Sequence, residues 1–176
     1  MFQVIETERL ILRRLLSTDA IPMFEYRVCP EVCLYQSWLP GSADEVQSLI
    51  TLMESRDISE GWFQLAIALK DGTLIGDLGI HVLESEPRIC ELGITLNPLF
   101  QSRGYALEAL RASINFLFTE CGKHRVYASI DPRNHKSLTL FERLGMRKEA
   151  HHCKSLWFKN EWVDDVIFAI LAEEWK

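Results

Sequence analysis

The chain reads as a mixed α/β (α+β) fold, a central and mostly antiparallel sheet of about seven strands with helices on both faces. Three observations point there. Segments with the two-residue alternation of strands interleave with segments whose apolar residues recur every three or four positions. Trp62 to Lys70 and Thr73 to Val82 are joined by Asp71-Gly72, a pair that suits the tight turn of a hairpin. A third strand, stopped by Asn97-Pro98, runs directly into a helix with Leu107, Leu110, Ile114 and Leu117 on one face.

The elements follow in order. Arg9 to Arg14 forms the first strand, Leu10 and Leu12 alternating with Ile11 and Arg13. Ser17-Thr18-Asp19 supplies N-cap oxygens for a helix through Tyr26, with Pro22 near its start. The loop from Tyr35 to Ser42 carries two aromatics that either border a pocket or pack beneath the loop. Ser42 and Glu45 have the spacing of a capping box, and Val46, Leu49, Ile50 and Met53 continue as a helix. After the hairpin and the Arg88 to Leu96 strand, the long helix ends at Gly122, a left-handed cap residue. His124 to Ile130 is a buried strand, broken by Asp131-Pro132, and a short helix from His135 to Leu144 stops at Gly145. Two strands flank Lys159-Asn160, and the second, Val163 to Leu171, is apolar enough to lie inside the sheet or at a homodimer contact.

At 176 residues the chain is expected to be one domain, residues 1–176. Its 48% hydrophobic and 25% charged residues are those of a globular protein. A net charge of −6 disfavours nucleic acid and anionic membranes as partners and suits a cationic substrate better. The 5 cysteines are irregularly spaced with no C-x-x-C, so neither a disulfide framework nor a metal site is expected. Adjacent strand residues point to opposite faces, which argues against the His151-His152-Cys153 triplet as a ligand set. The start, MFQVIETERL, has no apolar leader core, and a cytoplasmic protein is expected.

The chemistry concentrates at QSRGYA, Gln101 to Ala106. A strand that feeds a helix through this turn presents first-turn N–H groups that lack helical acceptors, at the positive end of the helix dipole. That is an anion site; Gly104 lets a bulky anion such as a pyrophosphate approach, and Arg103 adds charge. The other reading is an ordinary strand-to-helix connection. No G-K-[ST] follows a glycine-rich run, and Gly76, Gly79 and Gly93 form no G-x-G-x-x-G, which disfavours kinase and dinucleotide chemistry.

QSRGYA resembles the Q/R-x-x-G-x-G/A motif of the GNAT superfamily of N-acetyltransferases. The resemblance continues through TERLILRRL, LIGDLGIH, ELGITLNPLFQSRGYALEAL, DPRNHKSLTLFERLGMRKE and WFKNEWVDDVIFAIL, in the family's order, and is greatest to the branch with ribosomal-protein N-terminal acetyltransferases. It implies a GNAT-like sheet with a splayed central pair. It also implies acetyl-CoA as cosubstrate, no metal, and transfer of acetyl to a primary amine by direct attack through a tetrahedral intermediate. By position, the backbone of Ile94 and Leu96 would hold the pantetheine and thioester, and Gln101, Ser102, Arg103, Gly104, Tyr105 and Ala106 the pyrophosphate. Asn134 and Phe141 would lie near the reactive end.

For catalysis the resemblance puts forward Glu91, on the strand face opposite Cys90, Leu92 and Ile94, as the base. The competing reading is a solvated carboxylate paired with an arginine. Asp77 and His81 share a face of the neighbouring strand and are secondary candidates. Where many family members have a proton-donating tyrosine this chain has Phe141, so either Ser137 or water protonates the thiolate; Ser137 is otherwise the N-cap of the helix or a residue one turn inside it with a local backbone bond. The glutamate which that branch carries downstream has no equivalent in Cys153-Lys154-Ser155-Leu156. The acceptor is a protein N-terminus or a small amine, with Glu84, Glu86 and Asp77 leaning toward a cation. The alternative function is a non-catalytic acyl-CoA-binding or regulatory module.

Overall fold

A computed structural model describes residues 2–59 and 61–176. Its eight strands form one sheet in the order β1-β2-β3-β4-β5-β6-β8-β7. They are β1 (Ile5–Glu6), β2 (Leu10–Arg14), β3 (Gly61–Leu69), β4 (Leu74–Val82), β5 (Ile89–Leu96), β6 (Arg125–Ile130), β7 (Arg147–Phe158) and β8 (Glu161–Leu171). Every neighbouring pair is antiparallel except β5 and β6. The helices are α1 (Ala20–Arg27), α2 (Pro30–Cys33), α3 (Ala43–Glu54), α4 (Tyr105–Thr119) and α5 (His135–Arg143). The strand beyond the expected seven is β1, and the unexpected helix is α2; two and four residues are too short to show a period. β8 lies between β6 and β7, so its apolar residues are spent inside the sheet.

Strand alternation sorts the sheet into two faces. One carries Phe63, Leu65, Ile67, Leu78, Ile80, Leu92, Val126 and Phe168, all buried. Phe2 bridges this face to α4, its ring 5.8 Å from Phe63 and 5.5 Å from Phe116. Leu110, Ile114 and Leu117 are fully buried on α4, each contributing roughly 1.5–3 kcal/mol of transfer free energy. α1 and α3 pack on each other, and α1 lies against β4 on the opposite face.

Local chemistry explains where the elements stop. Ser42 Oγ accepts from the Glu45 amide at 3.3 Å, but the return half of the expected box shifts by one residue, Glu45 accepting from the Gly41 amide at 2.8 Å. Asp19 departs from its expected capping role. It is buried, accepts from the Leu16 amide at 2.8 Å and pairs with Arg13 at 2.6 Å, closing a 3-10 turn before α1. Gly122 at φ 60° ends α4, with the Lys123 amide donating to Leu117 O at 2.9 Å. No helix among the described residues is long and apolar enough to cross a membrane.

Candidate active site

The parallel pair β5 and β6 is joined only at Ile89↔Arg125, Cys90↔Val126 and Glu91↔Tyr127, and beyond that row the strands part. Each is held from outside, β5 by β4 as far as Leu96 and β6 by β8 as far as Ile130, so the fork leaves the outer ladders intact. The Asn97 amide bonds Ile75 O at 2.9 Å and the Leu83 amide bonds Ile89 O at 3.1 Å, which aims the odd-numbered β5 backbone groups at β4. The N–H and C=O groups of Ile94 and Leu96 therefore face the fork. Gln101 Nε2 donates to Leu96 O at 3.1 Å, tying this arm to the turn that follows.

That turn has the backbone an anion site needs. Asn97 caps a 3-10 turn over Pro98–Phe100, Ser102 has φ 61°, and Gly104 at φ 83° precedes the first residue of α4. Among the described residues, the amides of Ser102, Arg103, Gly104, Tyr105, Ala106 and Leu107 meet no acceptor; the first to do so is Glu108, on Gly104 O at 3.1 Å. Arg9, which the sequence reading passed over, buttresses the turn. It donates to Arg103 O at 3.0 Å, pairs with Glu108 at 2.6 Å, and lies 4.6 Å from the Tyr105 ring centroid. These unsatisfied amides at a helix start, beside a fork with free backbone, fit a pyrophosphate-bearing thioester, so acetyl-CoA suits the residues present.

On the sheet face opposite α4, one row crosses four strands: Trp62↔His81, His81↔Glu91, Glu91↔Tyr127. Trp62 and His81 stack at 4.8 Å, 12° from parallel. Tyr127 donates its hydroxyl to Glu91 Oε2 at 3.2 Å, and His81 Nδ1 is 3.8 Å from the same oxygen. Glu91 thus sits at the vertex of the fork with Tyr127 and His81 as partners, in place of the arginine considered above. Burial pushes its carboxyl above the usual range, while Tyr127 and His81 pull the other way. Burial and the neighbouring Glu91 raise Tyr127 to about 12, which keeps it a donor. Tyr127 was not singled out in the sequence because its place beside Glu91 depends on a parallel register between distant strands.

The next row is Gln64↔Gly79↔Gly93. Gly93 has open space where a side chain would stand, which leaves a trough beside Glu91. A Cβ on Gly79 would come within 2.9 Å of the Trp62 ring, which leans over that side. One row further, Asp77 is not available as the helper first considered. It is 1% exposed, ion-paired with Arg27, and accepts from Gln64 and, at 2.5 Å, from Tyr26. Arg27 in turn lies 4.8 Å from the Trp38 ring centroid, so Trp38 packs beneath its loop.

α5 starts at the open end of β6. Its N-cap is Asn134, whose Oδ1 accepts from the Ser137 amide at 3.1 Å. Ser137 is therefore a first-turn residue rather than the cap, and among the described residues its half-buried hydroxyl has no partner. Phe141 is 3% exposed, and its ring belongs to the core beneath the helix. Lys136 Nζ reaches Gln101 Oε1 at 3.4 Å, joining α5 to the anion turn. Across the mouth, Tyr35 donates to Arg133 O at 3.1 Å and Lys159 of the β7–β8 hairpin donates to Cys33 O, so the aromatic loop and hairpin tip frame the approach.

A fork with free backbone on one arm, opening onto an unsatisfied helix start, defines a site for a nucleotide-linked acyl donor. The sequence profile of the acetyltransferase (GNAT) domain matches residues 9–147, and the chain belongs to that family. It is 29% identical over 172 residues to the uncharacterized N-acetyltransferase YnaD of Bacillus subtilis (strain 168), covering 97% of this chain and 98% of that one. The ribosomal protein uS5-alanine N-acetyltransferase of Escherichia coli (strain K12) is 30% identical over 95 residues, 54% of this chain and 49% of that protein. A GNAT-family acetyltransferase from Bacillus anthracis superposes with a TM-score of 0.87 at 28% identity, covering 98% of this chain and all of the other. The chain is thus an acetyl-CoA-dependent N-acetyltransferase.

Proposed function

We propose that this enzyme acetylates the α-amine of a peptide or protein, with Glu91 as general base. One observation carries the reading: Glu91 stands at the fork vertex, between the free backbone of β5 and the trough over Gly93. Ile94 and Leu96 present backbone groups to the pantetheine arm, with the Leu96 N–H as donor to the thioester oxygen as it gains charge. Gln101, Ser102, Arg103, Gly104, Tyr105 and Ala106 hold the pyrophosphate. Asn134 fixes the start of α5, and the Ser137 hydroxyl, which has no partner among the described residues, donates the proton to the departing sulfur. Bound acetyl-CoA supplies the activated acyl group.

The acceptor class follows from charge and acidity. Two of the three acids that leaned toward a cation are already engaged, Asp77 with Arg27 and Glu86 with Arg88 at 2.8 Å. An α-amine has a pKa of about 8 against about 10.4 for a lysine-like amine, so it gives up its proton more readily to a carboxylate. The relative that acts on ribosomal protein uS5 supports the same class. The test is thiol release from acetyl-CoA by purified enzyme, with peptides bearing small N-terminal residues compared against polyamines and aminoglycosides. Peptides should give the higher kcat/KM, by at least tenfold. A polyamine preferred by that margin would overturn the acceptor, and CoA binding with no release would overturn the catalytic assignment.

A further inference from the structure

The β7–β8 hairpin is irregular at one place. His152 pairs with Asp165 and Leu156 with Val163, so Cys153, Lys154 and Ser155 together oppose the single residue Asp164. Such a bulge costs ladder hydrogen bonds and here holds Lys154 at φ 48°, an unfavourable region for a residue with a side chain. Asp164 organises it. Its Oδ1 accepts from the Lys154 amide at 2.9 Å, and its Oδ2 lies 2.8 Å from His151 Nε2.

The bulge gathers three ligating atoms. His151 nitrogen, Cys153 sulfur and an Asp164 oxygen all lie within 4.8 Å of one another. Alternation along an unbroken strand separates His151 from His152; it does not separate His151 from Cys153, and Asp164 comes from the facing strand. We propose that His151, Cys153 and Asp164 bind a divalent transition metal of the zinc class, with the fourth position left to water. Ligands about 2.0–2.3 Å from such an ion stand roughly 3.3–3.6 Å apart, which these surface side chains reach by modest rotation. The donor set selects the metal: thiolate and imidazole favour Zn²⁺ or Co²⁺ over Mg²⁺ or Ca²⁺. The Lys154 amide on Oδ1 fixes the carboxylate as outer hydrogen bonds fix metal ligands elsewhere. The site lies on the β7–β8 hairpin and is not required by the acetyl-transfer reading.

Titrating the reduced protein with Co²⁺, and then displacing it with Zn²⁺ against a chromophoric chelator, reads the site directly. One equivalent with a near-ultraviolet thiolate-to-cobalt band is expected. Cys153→Ser should abolish the band, and His151→Gln and Asp164→Asn should each weaken binding at least tenfold; Asn keeps the oxygen that accepts from Lys154, so the bulge survives. Circular dichroism checks that the variants fold. No thiolate band at micromolar cobalt, or a band retained in Cys153→Ser through Cys29 and Cys33, would overturn the proposal.

Discussion

Glu91, the proposed base, carries a cost in stability. Burial raises its pKa, so stability falls as pH rises through the folded value, because the unfolded chain ionises more easily. Glu91→Gln removes that cost. The expected result is a Tm at neutral pH that is unchanged or slightly higher, with turnover down roughly 10²-fold or more and CoA affinity preserved. Denaturation scans and steady-state rates measure both, and full activity would remove Glu91 from the chemistry. Tyr127→Phe deletes the hydroxyl that favours the ionised carboxylate, so the acid limb of kcat/KM against pH should move to higher pH. An unmoved limb with a lower Tm would make Tyr127 a packing residue. Glu91 was legible because strand parity sets it opposite Cys90 and Leu92. Its partners were not, because cross-strand register is absent from local sequence.

At the scale of elements, the strand–turn–helix from β5 to α4 offers unsatisfied backbone amides rather than side chains to the proposed diphosphate. Gly104 at φ 83° has only Arg9 near its missing Cβ, at 3.3 Å. Gly104→Ala adds left-handed strain of about 1–2 kcal/mol without charge, and Gly104→Asp adds the same strain with a charge facing the diphosphate. CoA affinity by calorimetry should fall at least tenfold further in the Asp variant than in the Ala variant; equal losses would place the diphosphate elsewhere. This unit was readable because each part has a local cause: Asn97-Pro98 stops the strand, Gly104 permits the turn, and the Leu110, Ile114, Leu117 spacing makes the helix. The element boundaries near Ile5 and Pro30 had no such markers.

At the scale of the whole molecule, the buried Asp77–Arg27 pair joins α1 to the sheet beneath the site. Tyr26 and Gln64 complete its hydrogen bonding, and burial with Asp77 raises Tyr26 well above its ordinary pKa, keeping its hydroxyl a donor. Asp77→Ala leaves Arg27 buried without its counter-ion, so a loss of about 3–5 kcal/mol is expected in chemical denaturation. A loss below about 1 kcal/mol would show the pair to be dispensable. In the sequence Asp77 looked like a candidate for chemistry, since parity correctly put it on the face of His81, but parity says nothing of which helix covers a position. The sequence by itself determined the alternation of strands and helices, the glycine turn into α4 and the face that Glu91 occupies, and its motifs in order carried the resemblance to the GNAT family. The first three follow from short-range rules, namely backbone dihedrals, periodic burial and helix-end hydrogen bonding. Only the tertiary structure decided that β5 and β6 part after Glu91, that Tyr127 and not an arginine meets that carboxylate, that Asp77 is neutralised, and that a bulge brings His151, Cys153 and Asp164 together. Each depends on which strand and helix residues meet across the sheet, and that arrangement is set by the packed whole.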